Sequence, residues 1–222
     1  MIGIDKSLLS LEKILEATDG IHVLGPSVIT FTSVATDSRS VEKDTLFVPL
    51  IGEVQDGHKY IPQAMEKGAS VVFIARKNYE DDSNFFVNLH HEKPGVTFIV
   101  VENTMTALQK AAGAYVEKFP HLMKIAVTGS SGKTTTKEIL VSIMKQKYNV
   151  ICNQGNLNSE TGLPLSVFKI RSVLVVLSSI PLLLLRVLTL PLMPVMKRNN
   201  YKIKLSPLLD SKKIRNIYFL SK

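Results

Sequence analysis

The stretch Lys124–Glu138, KIAVTGSSGKTTTKE, decides the fold of the second half of the chain. An apolar run, Ile125–Val127, leads into a loop with two glycines, and apolar residues at helical spacing follow at Ile139, Ile143 and Met144. This order predicts a strand, a glycine loop and a helix. Glycine lets the backbone approach an anion closely, and the following helix directs its unpaired N–H groups and positive dipole end at the loop. The pattern therefore indicates a loop that binds phosphate.

Two side chains of this loop carry the predicted chemistry. The Lys133 ammonium group is predicted to neutralise the outer phosphates, and the Thr134 hydroxyl to be a ligand for Mg²⁺, as those residue types do in phosphate loops. Backbone N–H groups of the loop would hold the other phosphate oxygens. The predicted ATP-binding residues are Gly129, Ser130, Ser131, Gly132, Lys133, Thr134 and Thr135. The alternative is a glycine turn that binds nothing.

The spacing of the loop differs from the general G-x-x-x-x-G-K-[ST] pattern, because Val127 stands where the first glycine would be. The short form T-G-x-x-G-K-T-T resembles that of the ATP-dependent amide ligases of cell-wall and folate metabolism, and among them the Mur ligases. The Lys137-Glu138 pair that follows is similar to the MurF type of that family, which adds D-alanyl-D-alanine. The resemblance implies ATP and Mg²⁺ as cofactors.

The composition divides the chain near Ile170. Residues 1–170 carry 17 Lys and Arg against 18 Asp and Glu, whereas residues 171–222 carry ten against one, so the net charge of +8 comes from the tail. All twelve glycines fall at or before Gly162, and thirteen leucines follow Ile170. Such a break indicates two unlike sequences joined at this point. The single cysteine, Cys152, suits a reducing cytoplasm and is predicted to be a small buried residue, and no export signal is predicted at the N-terminus.

The first hundred residues are predicted to form a compact α/β unit. Apolar stripes at i, i+3 and i+4 predict helices, and alternating or continuous apolar runs predict strands. The predicted elements are a helix at Lys6–Ala17 capped by Asp5 or Ser7 and stopped at Asp19-Gly20, strands at Val28–Val34 and Asp44–Leu50, a helix at His58–Lys67, and strands at Ser70–Ala75 and Val96–Val101. A further helix begins at Asn103 or Thr104 and ends at Phe119-Pro120, and the domain boundary is placed near residue 103.

The segment Lys77–Pro94 is polar and is predicted to be an irregular loop. It contains the pair His90-His91, for which a metal site is the alternative interpretation. Adjacent residues on a strand face opposite sides, and no cysteine or second acidic cluster accompanies the pair, so a solvated loop is favoured.

A second stretch, residues 37–69, resembles the first-domain signature of the Mur ligases. It reads D-S-R-x-V-x-x-D-T-L-F-V-x-L-x-G-E-x-x-D-G-H-x-Y-I-x-x-A-x-x-x-G-A. In that family this domain binds the UDP end of a UDP-N-acetylmuramoyl-peptide, and hydroxyl, amide and Arg groups suit a uracil edge and a phosphate. The residues that the resemblance implies for this site are Ser38, Arg39, Glu53, Val54 and Gln55. The alternative is a strand-end turn with a structural ion pair at residues 37–39 and a plain tight turn at Asp56-Gly57.

After the phosphate loop and its helix, a strand is predicted at Asn149–Cys152, followed by the polar segment NQGNLNSETGLPL and a short helix or turn at Ser166–Phe168. The polar segment is similar to the N-x-N-x-E-x-G-x-P-L segment of the MurF type, which lies beside the muramoyl-peptide. The resemblance therefore implies substrate contacts for Asn156 and Asn158.

From Arg171 the resemblance stops. A Mur ligase is expected to continue with a Glu-x-Gly segment that helps to hold Mg²⁺, then a histidine, a lysine and a C-terminal domain for the amino-acid substrate. Beyond Glu160 the only acidic residue is Asp210, and beyond His121 there is no histidine. We therefore expect no complete ligase turnover from this chain. The preferred explanation of residues 171–222 is out-of-frame translation.

The apolar run Ser172–Met196 is the candidate membrane segment. It is interrupted by three prolines and by Arg186, and the 14 residues before Arg186 fall short of the roughly 20 that a spanning helix needs. Membrane attachment is therefore unfavoured.

Together these patterns predict an α/β fold. Residues 1–102 form a small α/β UDP-substrate-binding domain, residues 103–170 begin an incomplete P-loop α/β ATPase domain, and residues 171–222 are an atypical Leu-rich basic tail. The resemblance implies a cytoplasmic ATP-dependent ligase of peptidoglycan precursor synthesis that adds D-alanyl-D-alanine to UDP-N-acetylmuramoyl-tripeptide. Lys133 and Thr134 are the implied catalytic residues, with Thr134 the metal ligand.

Two other functions are weighed against the ligase. One is a non-catalytic nucleotide-binding or UDP-sugar-binding module, attached to a membrane by its tail. The other is nucleic-acid binding through the basic tail, which is disfavoured because few aromatic residues are interleaved with its charges.

Overall fold

The structure is a computed structural model that describes residues 7–53, 55–120, 122–128, 130–152 and 159–170, together with the backbone of four strands beyond residue 176. The chain divides into two compact units, Met1–Ala114 and Tyr115–Lys222. Each unit is built on one sheet that mixes parallel and antiparallel neighbours.

The first unit contains both helices and strands. They are α1 (Leu11–Thr18), β1 (Ile21–Leu24), β2 (Ser33–Ala35), β3 (Thr45–Phe47), α2 (Ile61–Glu66), β4 (Ala69–Ala75), α3 (Arg76–Asp81), α4 (Ser83–Glu92), β5 (Thr97–Val101) and α5 (Thr104–Glu117), the last of which crosses into the second unit. The strand order is β1-β5-β4-β3-β2, in which β1 is antiparallel and the other four are parallel. Because parallel strands end at one edge of the sheet, the loops after β2, β3 and β4 meet there.

The core of the first unit lies on its central strands. Every residue of β5 is buried, and so are all but one of β4, as expected for parallel strands covered on both faces. The largest buried side chains of this core include Phe47, Phe86 and Phe98. The predicted strands at Ser70–Ala75 and Val96–Val101 and the α5 helix are confirmed, and the Asn103 side chain caps α5 by accepting from the Thr106 N–H.

The predicted start of the first helix is wrong. The helix α1 begins at Leu11, because Ser10 is the residue whose hydroxyl accepts from the Lys13 N–H. Ser7 cannot cap a helix, since its hydroxyl accepts from the Phe31 N–H and donates to a nearby carbonyl. The predicted stop is confirmed, because Asp19 has the left-handed conformation that ends α1.

The predicted strand at Val28–Val34 is also largely wrong. β2 covers residues 33–35, and Val28 is 86% exposed. The edge strand β1, which pairs with β5, is not predicted from the sequence. This strand ends at Leu24, and the next residue, Gly25, has a φ of +92°. A Cβ atom there would lie 2.2 Å from the Val96 carbonyl oxygen. Glycine is therefore required where the chain turns away from β5.

The segment predicted as a polar loop at Lys77–Pro94 forms the helices α3 and α4 instead. The Asp82 carboxylate caps α4 by accepting from the Phe85 N–H, and Phe86 and Leu89 bury the inner face. The charged residues of the segment lie on the outer face. Because only two residues of α4 are buried, the apolar spacing was too short to be recognised among these charges. The pair His90-His91 lies in the last turn of α4, and the described residues contain no group of three or more His, Cys, Asp or Glu placed to hold a metal ion.

The second unit continues from the end of α5. Its elements are β6 (Leu122–Thr128), α6 (Lys133–Met144), β7 (Asn149–Ile151), α7 (Gly162–Val167), β8 (Leu177–Ser179), β9 (Val195–Arg198), β10 (Tyr201–Lys204) and β11 (Asn216–Ser221). β11 runs parallel to β6, β7 and β8, and β10 pairs antiparallel with β6 and β9. The strand, loop and helix order predicted around the glycine loop is confirmed. The origin of residues 171–222 stays a prediction.

Two smaller features of this unit bear on the predictions. Cys152 is half-buried and packs against the core formed by Ile125 and Val141. Within the described ranges, none of the helices is long and apolar enough to cross a membrane.

Candidate functional site

The phosphate loop lies between the carboxyl end of β6 and the first turn of α6. Gly132 immediately precedes the helix and has a φ of +70°, the left-handed conformation that glycine adopts at little cost. Because glycine has no side chain, Gly132 cannot cap the first N–H groups of α6. A phosphate oxygen is the acceptor that such a helix end favours. Gly129, which was predicted to contact ATP, lies outside the described residues.

The side chains predicted to bind ATP stand at this helix end. Lys133 is half-buried, and its ammonium group donates to the Ser130 carbonyl oxygen at 3.1 Å, which holds the charge beside the loop. Ser131, Thr134 and Thr135 are exposed, so their hydroxyls are accessible. A hydroxyl together with phosphate oxygens is a ligand set that Mg²⁺ accepts. The residues therefore fit a nucleotide phosphate with its metal ion.

The helix α6 buries a different face from the predicted one. Ile139, Ile143 and Met144 define the expected stripe. Ile139 and Ile143 are 55% and 60% exposed, whereas Met144 is half-buried and packs against the core of Ile125 and Val141. The helix instead buries Val141 and Lys137, which is 5% exposed. The predicted stripe is wrong at Ile139 and Ile143, because residues 139–141 are all apolar and apolarity does not decide between the two faces.

The Asn-rich segment is described only from Ser159 onward, so Asn156 and Asn158 lie outside the described residues. The Ser159 hydroxyl accepts from the Gly162 N–H at the start of α7. After α7, the Ile170 carbonyl accepts from the Tyr115 hydroxyl. The short helix predicted at Ser166–Phe168 is thus present as α7, which begins four residues earlier, at Gly162.

A pocket of about 580 Å³ lies in the first unit, beyond the carboxyl ends of β2 and β3. Its walls are formed by residues 36–39 after β2, by Leu50 after β3, and by Gln55, Gly57, Tyr60 and Gln63. In open α/β sheets the edge where the strands end is the usual place for a ligand. The position of the pocket therefore favours a binding site.

Three of the five residues that the sequence predicted for substrate binding in this unit line the pocket: Ser38, Arg39 and Gln55. Glu53 is exposed and does not belong to the lining, and Val54 lies outside the described residues. Their role as binding residues stays a prediction.

Side-chain hydrogen bonds order the polar lining. The Ser38 hydroxyl donates to Gln63 Oε1 at 2.6 Å, and the Tyr60 hydroxyl donates to Gln55 Oε1 at 2.9 Å. Each carboxamide then has its NH₂ group for a ligand that carries carbonyl oxygens. Tyr60 and Gln63 are not predicted from the sequence as pocket residues, although their i, i+3 spacing after a predicted turn could have placed them on one side of a helical turn.

Arg39 forms an ion pair with Asp37 at the pocket wall. The Nε and NH2 groups of Arg39 donate to Asp37 Oδ1 and Oδ2 at 3.0 and 2.7 Å. The Lys67 ammonium group donates to the Arg39 carbonyl oxygen at 3.0 Å. The ion pair of the alternative interpretation is therefore present, and it lines the pocket.

Hydrogen bonds from the side chain and backbone of Arg39 lower the pKa of Asp37 from 3.8 to about 2. The folded state stabilises the ionised carboxylate of Asp37. The contribution of the Asp37–Arg39 pair to folding stability is therefore complete above pH 3.8 and is lost as the pH falls through about 2. The contribution is small, because the pair is exposed. In a carboxyl-carbon NMR titration we expect an Asp37 midpoint near 2, and a higher midpoint in Arg39→Ala. An unchanged midpoint in the variant would contradict this cause.

A glycine loop that follows a strand and opens a helix in an α/β unit defines the class of P-loop nucleotide-binding proteins. Family models support a narrower statement. The model described as Mur ligase family, catalytic domain, matches residues 30–116, and that described as Mur ligase middle domain matches residues 127–176. The chain belongs to the Mur ligase family. The second match continues past residue 170, so the resemblance extends to residue 176 rather than stopping at Arg171.

Curated relatives agree with this family. The chain is 39% identical over 166 residues to a UDP-N-acetylmuramoyl-tripeptide--D-alanyl-D-alanine ligase of Treponema pallidum, a match that covers 74% of this chain and 36% of the relative. It is 40% identical over 134 residues to the ligase of the same name from Bacillus subtilis, covering 60% of this chain and 27% of the relative. The chain thus spans about a third of the length of these relatives.

Solved structures show the same likeness. A MurF structure from Acinetobacter baumannii matches 73% of this chain and 33% of its own with a TM-score of 0.58 and 30% identity. MurF ligase from Thermotoga maritima, solved in complex with ADP, matches 72% of this chain and 35% of its own with a TM-score of 0.55 and 31% identity. The α/β fold class predicted from the sequence is confirmed.

Proposed function

We propose that this chain carries the UDP-substrate domain and the phosphate loop of an ATP-dependent ligase of peptidoglycan precursor synthesis. The proposed reaction adds D-alanyl-D-alanine to UDP-N-acetylmuramoyl-tripeptide in the cytoplasm. The observation that carries the proposal is the presence, in one Mur ligase chain, of a polar pocket at a sheet edge and a phosphate loop at a helix start. The proposed domains are residues 1–102 for the UDP substrate and 103–170 for ATP.

The pocket has the chemistry of a uridine site. Gln55 and Gln63 have their oxygens engaged by hydroxyls, which leaves NH₂ donors for the carbonyl groups of a uracil ring. Arg39 lies at the same wall and suits a diphosphate, although it shares its charge with Asp37. Ser38, Glu53 and Val54 are the other proposed substrate contacts of this unit. Asn156 and Asn158 are proposed separately, as contacts to the muramoyl-peptide.

In the proposed reaction the terminal carboxylate of the tripeptide attacks the γ-phosphate of ATP and forms an acyl phosphate with release of ADP. The amine of D-alanyl-D-alanine then attacks the acyl carbon, which forms the amide bond and releases phosphate. Catalysis of such phosphoryl transfer consists mainly of positioning and charge neutralisation.

Lys133 and the N–H groups at the start of α6 would hold and neutralise the ATP phosphates. Ser130 and Ser131, together with Thr135, stand at the same helix end and would contact the nucleotide. Mg²⁺, when bound by Thr134 and the phosphates, would draw negative charge from the transferred group.

Calorimetric titration of UDP into the full chain tests the substrate site. We expect UDP to bind, and Ser38→Ala to weaken binding about tenfold, because the variant removes the hydroxyl that orients Gln63. Ser70→Ala is the matched control, since Ser70 also donates one hydrogen bond, to the Thr30 carbonyl, outside the pocket lining. Absence of UDP binding by the wild-type chain would overturn the proposed substrate site.

A further inference from the structure

One buried histidine stands behind the pocket wall. His58 is 4% exposed and belongs to the 3-10 turn Gly57–Tyr60, whose first and last residues line the pocket. Neither the phosphate loop nor the proposed uridine contacts use it. Its two ring nitrogens both have partners: Nδ1 lies 2.5 Å from Asp56 Oδ1, and Nε2 lies 2.9 Å from the Ala75 backbone nitrogen.

These partners fix the tautomer of the ring. A backbone N–H can only donate, so Nε2 of His58 must be the unprotonated acceptor for Ala75. The ring proton therefore lies on Nδ1 and is donated to the Asp56 carboxylate. Turning the ring over would put carbon atoms at both positions and break both hydrogen bonds.

Asp56 is held in the ionised form that accepts this hydrogen bond. Its carboxylate also accepts from the His58 backbone N–H at 2.9 Å and from Asn78 Nδ2 at 2.6 Å. Burial acts to raise the pKa of Asp56, but the hydrogen bonds from His58 and Asn78 outweigh it and lower the pKa. The network thus joins the loop before the turn, the turn itself, the end of β4 and the start of α3.

The loop before the turn is held by backbone contacts, among them an isolated bridge between Ile51 and Asp56. The described residues of the loop Ile51–Gly57 are exposed or half-buried, and none is buried. The Gly57 N–H donates to the Leu50 carbonyl at 2.9 Å, and a Cβ atom at Gly57 would lie 2.8 Å from Leu50 backbone atoms. Because no apolar side chain of the described part of the loop is buried, the position of Gln55 depends on polar contacts, among them the Gly52 N–H, which donates to the Gln55 carbonyl at 2.9 Å.

We propose that His58 is a positioning residue for this pocket, which links the wall carrying Gln55 and Tyr60 to the end of β4 through the Ala75 N–H. The identity of the ligand, a UDP group, rests on the proposed function. The positioning role of His58 rests on the geometry alone. A wall fixed before binding spares the ligand the entropic cost of ordering it.

Two replacements separate the two hydrogen bonds of the ring. In His58→Gln the carboxamide oxygen reaches the place of Nε2 and can accept from Ala75, whereas in His58→Asn the shorter side chain reaches only the place of Nδ1. We expect His58→Asn to weaken UDP binding about tenfold, and His58→Gln to stay within about threefold of the wild-type chain. His22→Asn is the control, because that ring bonds the Gly25 carbonyl in the same unit. Equal UDP affinities of His58→Asn and His58→Gln would overturn the proposal.

An NMR experiment on the chain without ligand tests the positioning role of His58 independently of the proposed function. We expect the Nε2 nitrogen-15 signal of His58 to be that of an unprotonated ring nitrogen. We also expect the Gly57 amide to exchange faster in His58→Asn than in His58→Gln. If the wild-type chain does not bind UDP but these results hold, the substrate assignment fails and the positioning role stands. A protonated Nε2 in the wild-type chain overturns the positioning role whatever the ligand.

Discussion

Replacing Lys133 by alanine is expected to weaken ATP binding to the full chain by roughly 10- to 100-fold, the range for loss of one hydrogen bond between a charged donor and a phosphate. Lys133 is the first residue of α6, and its ammonium group already lies at the loop through its contact with the Ser130 carbonyl. The variant removes the point charge but leaves the helix N–H groups, so some phosphate affinity should persist. Isothermal titration calorimetry with ATP and Mg²⁺ measures the change.

Lys145→Ala is the matched control for this experiment. Lys145 follows the last residue of α6, at the opposite end of the helix, and is exposed. Both variants remove one positive charge from the same helix, so a general effect of net charge would weaken ATP binding equally in the two. Equal affinities of the two variants would mean that Lys133 does not contact the phosphates. A circular dichroism melt of each variant checks that the fold is retained.

The phosphate loop was the part of the structure most accessible from sequence, because its function depends on backbone conformation. Gly132 and Lys133 are fixed by local geometry: the first adopts a positive φ and the second opens the helix. Both requirements concern neighbouring residues, so they can be recognised from a short stretch of sequence. The buried face of α6 could not be predicted in this way, because it depends on the sheet that packs against the helix. Lys137 is buried there, although a lysine is ordinarily expected to be exposed to solvent.

The pocket was accessible only in part, for the same reason. Ser38, Arg39 and Gln55 were found through the resemblance of their motif, but Gln63 lies 25 residues after its partner Ser38. That pairing arises only when α2 folds beside the loop after β2. The role of His58 was equally hidden, because its acceptor nitrogen is defined by the Ala75 N–H at the end of β4, 17 residues away.

The helix α4 shows how charge hides apolar periodicity. Phe86 and Leu89 form a short inner stripe, and the outer face carries the polar residues that suggested a loop. His90 lies in the last turn of this helix with its ring edge-on to Phe98, at a centroid distance of 6.4 Å. Phe86, Leu89 and Phe98 belong to the same core, so the buried face of α4 depends on a residue of β5 that is distant in the sequence.

Phe98→Ala is expected to lower the free energy of unfolding of the first unit by about 3 to 5 kcal/mol. Phe98 lies in β5, between β1 and β4, and its side chain is fully buried in the core with Phe47 and Phe86. Alanine at this site leaves a cavity that the strands on both sides cannot close, so the lost contacts are not recovered. Because domains are stable by only about 5 to 15 kcal/mol, this loss is a large part of the total.

Urea unfolding followed by circular dichroism measures this change, since the chain has no tryptophan to serve as a fluorescent probe. Phe85→Ala is the control: Phe85 is a ring of the same size on α4, but it is 36% exposed, and it contacts Phe86 edge-on. Loss of that aromatic contact should cost about 1 kcal/mol. The two units can unfold in separate transitions, so the comparison applies to the transition that Phe98→Ala shifts. Equal losses in the two variants would mean that Phe98 is not at the centre of the core.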